Sequence, residues 1–288
     1  MVLKNEIASP IVNGETLMAN SLDLKNNLIA ATYNLKGDTY LGAVDLLTIS
    51  GDKLQLSSQV IVNNGDVNTA FFKDSKLYFA GAADGNDSTA YVGSASVSQN
   101  AIQQNSILSS RLGGYAATGL VHQDDYIYVT TGNSESNGGG LHVLHESDLS
   151  THSYYPLRDA RWVDIDNDHV FVQQAMPGNL WIKHVDENLE SNQISFDGLR
   201  TPHAKSTFEI NGDLAFLATG YNGVQIINLN SGTIVGEIPL SAESEADEVC
   251  NAVSVDDDLI FISNGKYVQV ATFDSKSPLN PNPEILGT

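Results

Sequence analysis

A short motif recurs six times along this 288-residue chain. Each copy is a polar turn followed by three or four apolar residues rich in β-formers, and the copies begin at positions 27, 76, 125, 168, 213 and 258. The resulting spacing of 43 to 49 residues is typical of repeat proteins, in which each unit buries its apolar face only by stacking on its neighbours. The repeat therefore constrains the fold more strongly than local propensity does.

The fifth repeat shows what one unit contains. Residues 207–210 alternate in polarity, Asn211-Gly212 signals a hairpin, and three further strand-like runs follow before residue 241. Four antiparallel strands in about 45 residues are typical of one propeller blade. We therefore predict an all-β fold, a six-bladed β-propeller of four-stranded antiparallel blades, with residues 1–288 as a single domain. Seven blades are the alternative, although a seventh would need about 45 more residues.

The last repeat has no obvious fourth strand, because a proline-rich segment follows residue 273. Residues 8–14 resemble residues 58–65, which have the pattern of a fourth strand and the turn into the next blade. We therefore predict that residues 4–12 supply the outer strand of the last blade. Such a strand would close the ring and remove a free sheet edge.

One segment of the fifth repeat also carries a family resemblance. The run from Asp213 to Leu229, DLAFLATGYNGVQIINL, resembles the LVIVD-type repeat of bacterial and archaeal surface propellers, in which YVA-x-G-x-x-G-L-x-I-V-D spans the second and third strands. The first four repeats match less well, and residues 139–143, GGLHV, are the best remnant there. The resemblance implies a location in the cell envelope or at the cell surface, often with a lipid anchor. Its motif is structural, so it implies no catalytic residue.

Charge and composition exclude several kinds of partner. The net charge of −21 comes from 35 acidic and 14 basic residues, so nucleic acid and anionic membrane surfaces, which bind through Lys and Arg, are not expected. No apolar run approaches the roughly 20 residues that a membrane span needs, and residues 1–6 do not begin a signal peptide. Cys250 is the only cysteine, so no intrachain disulfide is expected. We expect a monomer of the cell envelope, periplasmic or surface-exposed, whose signal or anchor segment is absent from this chain.

The four arginines of the chain all fall in predicted blade-to-blade connections. In a meander, these connections share one face with the second-to-third-strand turns, so we expect the guanidinium groups around the mouth of the central funnel. Guanidinium groups beside aromatic rings favour a carboxylate, sulfate or phosphate ligand. The alternative is that the arginines pair with acids such as those of residues 243–248 and tie adjacent blades together. The candidate ligand-binding residues are Arg111, Tyr115, Arg158, Arg161, Trp162, Arg200, His203 and Lys205.

Metal sites have weaker support in the sequence. His142, His145 and His152 lie close together in the chain, but strand alternation directs the first two to opposite faces, which disfavours a zinc site. Alternating aspartates at 164–168 approach a turn and make calcium a candidate, although Asp is common in turns for its own hydrogen bonds. We therefore expect no cofactor and no metal, with calcium as the one candidate ion.

Functions of different classes remain open. The main interpretation is a non-enzymatic binding or interaction module of the bacterial cell envelope, which takes an anionic small molecule or glycan, or a protein partner, at the arginine-bearing funnel mouth. The alternative is a polysaccharide lyase or hydrolase acting on an anionic glycan, with His203 or His122 as base and Tyr115 as acid. A purely architectural propeller within a larger assembly is the third. The three interpretations can be separated by whether the side chains of His203, Tyr115 and Arg161 converge on one pocket.

Overall fold

The structure is a computed structural model that describes residues 5–85, 89–132, 138–175, 178–185, 190–196, 205–240, 249–264 and 267–287. These residues form six four-stranded antiparallel blades arranged as a β-propeller, as the repeat predicts. Contacts divide the chain into unit 1, Met1–Pro156, and unit 2, Leu157–Thr288, with three blades each. In the part of the chain that the structure describes, no helix has the length and apolarity to cross a membrane.

Unit 1 holds a hairpin and blades 1 to 3. The hairpin consists of β1 (Ile11–Val12) and β2 (Glu15–Thr16). Blade 1 consists of β3 (Met18–Lys25), β4 (Leu28–Asn34), β5 (Gly42–Ser50) and β6 (Lys53–Val62). Blade 2 consists of β7 (Gly65–Lys73), β8 (Lys76–Ala83), β9 (Ala90–Ser98) and two outer pieces that both pair with β9, namely β10 (Ala101–Ile102) and β11 (Leu108–Arg111). Blade 3 consists of β12 (Ala116–Gln123), β13 (Tyr126–Gly132), β14 (Gly140–His145) and β15 (Thr151–Pro156).

Unit 2 holds blades 4 to 6. Blade 4 consists of β16 (Ala160–Asp166), β17 (His169–Gln174), β18 (Asn179–His184) and β19 (Asn192–Ser195). Blade 5 consists of β20 (Phe208–Asn211), β21 (Leu214–Ala218), β22 (Val224–Asn228) and β23 (Thr233–Ile238). Blade 6 consists of β24 (Ala252–Asp256), β25 (Leu259–Ser263), β26 (Val268–Thr272) and β27 (Glu284–Gly287).

The polar turn of the repeated motif joins the first and second strands of every blade. One residue of each turn lies in the left-handed backbone region, with φ between 50° and 59°. Gly, Asn and Asp adopt that conformation at the least energetic cost, which explains why one of them lies in the polar turn before each apolar run. The six left-handed residues are Asn26, Asp74, Asp124, Asn167, Gly212 and Asp257.

Apolar side chains of the second and third strands fill the space between neighbouring blades within each unit. In unit 1, Tyr78 of blade 2 packs with Ile127 and Leu144 of blade 3, and all three are fully buried. In unit 2, the ring of Phe216 lies edge-to-face against Phe273, with 4.8 Å between ring centroids. Full burial of one such side chain contributes roughly 1.5–3 kcal/mol, so these inter-blade clusters supply much of the stability of each unit.

The N-terminal segment does not close the last blade. The fourth strand of blade 6 is β27, which pairs with β26 and carries a bulge like those in β6, β15 and β23. Residues 5–12 instead lead into the β1–β2 hairpin, and the Asn5 amide donates to the carbonyl of Asp52 at 3.0 Å. The prolines of 278–283 lie in the loop before β27, not in the strand. The prediction that residues 4–12 close the ring is therefore wrong.

Candidate functional site

Two features meet on one face of unit 1, which we call the connection face: the blade-to-blade connections 63–64 and 112–115, and the turns that follow β4 and β8. The N–H of Asp84 in the turn after β8 donates to the carbonyl of Asn64 at 3.0 Å. The N–H of Leu112 likewise donates to the carbonyl of Ala90 at 2.9 Å. These bonds hold the turns of blade 2 against the connections on either side of it.

Asp66, near the start of β7, lies where the backbones of blades 1 and 2 approach closely. A Cβ on Gly42 would lie 2.7 Å from the carbonyl oxygen of Gly65, so this position requires glycine. Gly81 is equally constrained, since its Cβ would lie 1.8 Å from the carbonyl oxygen of Asp66. The close approach brings the N–H of Leu41 to 3.2 Å from Oδ1 of Asp66, which orients the carboxyl group.

The Asp66 carboxyl titrates close to neutral pH. Burial raises its pKa to about 6, and the hydrogen bond from Leu41 lowers the pKa only partly back. Above that pH the group is a carboxylate that can accept a proton. A half-buried acid whose pKa is shifted toward neutrality is a candidate for general acid–base chemistry.

Three tyrosines and a threonine complete what we call the Asp66 cluster. The side chain of Tyr40 hydrogen-bonds those of Tyr115 and Thr89, and its pKa is raised by burial first, then by Tyr115 and by the charge of Asp66. The hydroxyl of Tyr91 donates to the carbonyl of Asp66 at 3.0 Å. Tyr115 is 36% exposed, so solvent reaches the cluster. A proton acceptor beside phenol hydroxyls can activate water and stabilise a negatively charged oxygen.

Bulges in the inner strands of unit 1 bring further polar groups to this face. The registers of β3, β7 and β12 each skip one residue, at Asn20, Asn68 and Thr118. The amide oxygen of Asn68 accepts from Asn34 at 2.8 Å, and its amide nitrogen donates to the carbonyl of Ala117 at 2.9 Å. Bulges re-aim side chains and are common beside active sites. Here the Asn68 amide links blades 1, 2 and 3 at their inner edges.

Of the residues predicted from the sequence, the structure places Arg111 and Tyr115 on the connection face of unit 1. Arg111 is the last residue of β11, and its guanidinium donates to the carbonyls of Ala83, Asp84 and Thr89 at 2.8–3.2 Å. Its side chain is exposed. Arg111 thus anchors the turn after β8 and brings positive charge close to the Asp66 cluster.

Arg161 lies in unit 2 and is bound by an acid. It is the residue that the β16 register skips, and it is 2% exposed. Its Nε donates to Oδ1 of Asp159 at 2.8 Å and its Nη2 donates to Oδ2 at 3.0 Å. This is the pairing alternative considered for the arginines, although the partner directly precedes the strand that holds Arg161 and does not lie in an adjacent blade. The buried pair makes Arg161 part of the fold, and its role in ligand binding stays a prediction.

The remaining predicted residues of unit 2 have different settings. Arg158 is exposed, and its carbonyl accepts a bond from the Gln174 amide at 2.9 Å. Lys205 Nζ lies 5.5 Å from the ring centroid of Trp162, and burial lowers the pKa of this amine to about 7. Arg200 and His203 lie outside the described residues.

The catalytic pairing expected of His122 and Tyr115 is wrong. Tyr115 precedes β12, whereas His122 lies near the other end of that strand, roughly 20 Å away at the usual rise per residue. His122 Nε2 instead contacts Lys73 and lies 3.4 Å from Oε2 of Glu146. Among the described residues, no three His, Cys, Asp or Glu side chains converge as metal ligands would.

The sequence patterns do not single out Asp66 or Tyr40, which the folded chain brings together. Asp66 follows Asn63-Asn64-Gly65, a segment typical of an ordinary turn, and Tyr40 lies in a polar loop. The sequence feature that could have indicated this site is the glycine at positions 42, 65 and 81, because glycine in strands marks places where backbones approach closely. Such an approach excludes water from a neighbouring carboxyl.

Comparison with known proteins identifies the fold. No protein-family model and no curated protein matches the chain. The periplasmic gluconolactonase of Pseudomonas aeruginosa is similar in structure, with 12% identity, a TM-score of 0.68 and coverage of 91% of this chain and 83% of that one. A candidate 6-phosphogluconolactonase from Bacteroides uniformis has 12% identity, a TM-score of 0.64 and coverage of 90% and 81%. The computationally designed Ika8 protein has 9% identity, a TM-score of 0.57 and coverage of 90% and 84%. At these identities the likeness shows the fold alone.

Proposed function

We propose that this protein is a hydrolase that opens the lactone ring of a sugar acid at the Asp66 cluster. The observation that carries the proposal is the half-buried carboxyl of Asp66, with a pKa of about 6, beside the hydrogen-bonded hydroxyls of Tyr40 and Tyr115. Ester hydrolysis needs a base for water and donors for the oxygen that becomes negative. The cluster supplies both on a solvent-accessible face.

This proposal replaces the main interpretation of the sequence, a non-enzymatic binding module, which is wrong. The two natural proteins of similar structure are named as a gluconolactonase and a candidate 6-phosphogluconolactonase, which are enzymes. They favour the alternative interpretation, a polysaccharide lyase or hydrolase acting on an anionic glycan, over the main one. The catalytic residues differ from those of that alternative, since Asp66 replaces the histidines as base.

The proposed reaction uses water as the nucleophile. The Asp66 carboxylate takes a proton from a water molecule while the water oxygen bonds to the lactone carbonyl carbon. The hydroxyls of Tyr40 and Tyr115 donate hydrogen bonds to the oxyanion of the tetrahedral intermediate. The bond from this carbon to the ring oxygen then breaks, and the ring oxygen takes the proton from Asp66. The product is the open-chain hydroxy acid.

Substrate recognition is proposed to depend on polar groups that rim the cluster. Arg111 supplies positive charge on the same face, in a protein whose net charge of −21 otherwise repels anions. The bulged amides of Asn20 and Asn68 supply hydrogen-bonding groups suited to sugar hydroxyls. We therefore propose a polyhydroxylated lactone, neutral or carrying one anionic group, as the substrate class.

Family and location belong to the same proposal. The LVIVD-like segment 213–229 spans β21, a glycine turn and β22, which is the placement that the repeat family implies. A periplasmic or surface location is supported by that resemblance and by the named location of the Pseudomonas protein. The single domain over residues 1–288, the monomeric state and an anionic ligand at the arginines remain predictions.

A direct assay tests the hydrolase proposal. The purified chain is mixed with glucono-δ-lactone or 6-phosphogluconolactone, and acid release is followed against spontaneous hydrolysis. We expect turnover, an Asp66→Asn variant slowed by about 100-fold or more, and Tyr40→Phe and Tyr115→Phe variants slowed by about 10- to 100-fold. The matched control is Asp164→Asn in unit 2, where burial also raises the pKa to about 6 and where activity should not change. No turnover of either lactone, or full activity in Asp66→Asn, would overturn the proposal.

A further inference from the structure

We infer that unit 1 holds a second ligand site, a cavity between blades 1 and 2 that binds a single-chain monocarboxylate such as a medium-chain fatty acid. The inference does not rest on the proposed hydrolase, since it concerns a different pocket and a ligand of different chemistry. The two sites share the ring of Tyr91 and the positive charge of Arg111.

The cavity has a volume of about 420 Å³, which lies within the range of about 300–1,000 Å³ for small-molecule sites. Its lining residues differ in polarity and exposure between the interior and the mouth. The deep walls are apolar and buried, each residue being at most 8% exposed, whereas the mouth carries exposed residues, three of them polar. The deep residues are Val44, Leu77, Phe79, Tyr91 and Ile102. The mouth residues are Asn64, Ile107, Ser109 and Arg111.

The cavity arises from the divided outer edge of blade 2. In place of one continuous fourth strand, β10 and β11 pair separately with β9, and the turn at Gln104–Ser106 lies between them. The strand β11 contributes two small residues, Ser109 and Ser110, to the wall of the cavity. The ring of Phe79 is seated on the sheet over Gly93, where a Cβ would lie 2.5 Å from two ring carbons. The cavity stays open because one wall carries small residues and another is formed by a flat aromatic ring.

Arg111 brings positive charge to the mouth. Its guanidinium donates to the carbonyls of Ala83, Asp84 and Thr89, and these bonds fix its position. A carboxylate at the mouth would gain a charge-assisted interaction with it. A sugar would have to place hydroxyls against Val44 and Leu77, where they would lose their hydrogen bonds to water. An apolar chain with an acidic head therefore matches both ends of the cavity.

Calorimetry with octanoate, decanoate and 1-octanol, each below its micelle concentration, tests the inference. Two more methylene groups should make decanoate bind about tenfold more tightly than octanoate. Octanoate should bind at least about fivefold more tightly than octanol, because only the acid interacts with the guanidinium. No binding of decanoate, or equal affinities for octanoate and octanol, would overturn the inference.

Two variants and a control distinguish the contribution of the carboxylate head group to binding from that of the apolar chain. Arg111→Gln should weaken octanoate at least about fivefold and leave octanol unchanged. Val60→Phe should abolish binding of all three ligands, because its ring would occupy the cavity. Lys53→Gln, which removes a charge from the far end of β6, is the control and should change nothing. If Arg111→Gln unfolds, the wild-type comparison of acid with alcohol decides, and retained binding in a folded Val60→Phe variant would contradict the inferred location.

Discussion

The backbone N–H of Leu41 donates to Oδ1 of Asp66 over 3.2 Å, and this bond crosses from blade 1 to blade 2. It stabilises the charged form of the carboxyl, whereas burial stabilises the neutral form. Burial has the larger effect, so the pKa rises to about 6. The contact therefore orients the carboxyl, and a pKa of about 6 leaves the group mostly a carboxylate at neutral pH.

The pH dependence of hydrolysis should report this pKa. If Asp66 is the base, the rate rises with pH through about 6 as the carboxyl loses its proton, and then levels off. Tyr40 should stay protonated over this range, because its pKa is raised above its usual value. A pH–rate profile of kcat/KM measures the midpoint. A rate that does not change between about pH 5 and pH 7 would exclude Asp66 from this role.

Replacing the same carboxyl should stabilise the fold. The folded-state pKa of Asp66 lies above the ordinary value of 3.8 for this side chain, so the folded protein binds the proton more tightly than the unfolded chain. The free energy of unfolding therefore falls as pH rises from about 4 to about 6, and above pH 6 the cost of burying the charged carboxylate is complete. The Asp66→Asn variant does not bear this cost. Its free energy of unfolding should exceed that of the wild type by about 1–2 kcal/mol at pH 8, after solvent screening, and by less at pH 5.

The Asp164→Asn variant provides the comparison for that measurement. Burial and the charge of Glu209 raise the Asp164 pKa, so its asparagine variant should also gain stability at pH 8. Urea unfolding at the two pH values compares both variants with the wild type. Because Asp164 has no expected part in hydrolysis, only Asp66→Asn should combine higher stability with lost activity. Equal destabilisation at both pH values would show that the asparagine disturbs packing instead.

The periodic turn allows the blades to be predicted, because a left-handed residue at each first turn restricts the sequence to Asn, Asp or Gly. The closing strand cannot be predicted in the same way. All four residues of β27 are exposed, so no buried alternation marks the strand. The Asp66 cluster is equally hidden, because the pKa of Asp66 depends on packing between blades that are distant in sequence. Tyr115 could be placed because connections between blades are fixed by topology, whereas Arg111, expected in the same connection, is the last residue of β11.

Breaking the ion pair of Arg161 should destabilise the protein. Arg161→Met leaves the buried Asp159 carboxylate without its bidentate partner, and such a loss typically amounts to about 3–5 kcal/mol. The double variant Asp159→Asn, Arg161→Met should recover much of that loss, since Asn tolerates the left-handed backbone at position 159, where φ is 50°. Thermal unfolding measures both. A single variant that melts like the wild type but loses anion binding would return Arg161 to the ligand site.

Deletions at the two ends should differ in effect. Removing residues 284–288 deletes β27 and leaves β26 as an open edge, so we expect a lower melting temperature and aggregation. Removing residues 1–9 spares the β1–β2 hairpin and should lower the melting temperature by only a few degrees, on the order of 1 kcal/mol. Calorimetry and light scattering compare the two. If the N-terminal deletion were the more damaging one, the strand order of blade 6 would need revision.

Every described blade takes its strands from one uninterrupted stretch of sequence, and β27 makes this true of the last blade as well. No blade has to wait for the distant end of the chain before its hydrogen-bonded ladder is complete. When residue 156 leaves the ribosome, the nascent chain already carries all the strands of three blades. Folding can therefore proceed during synthesis, blade after blade, with unpaired edges exposed only briefly to other chains.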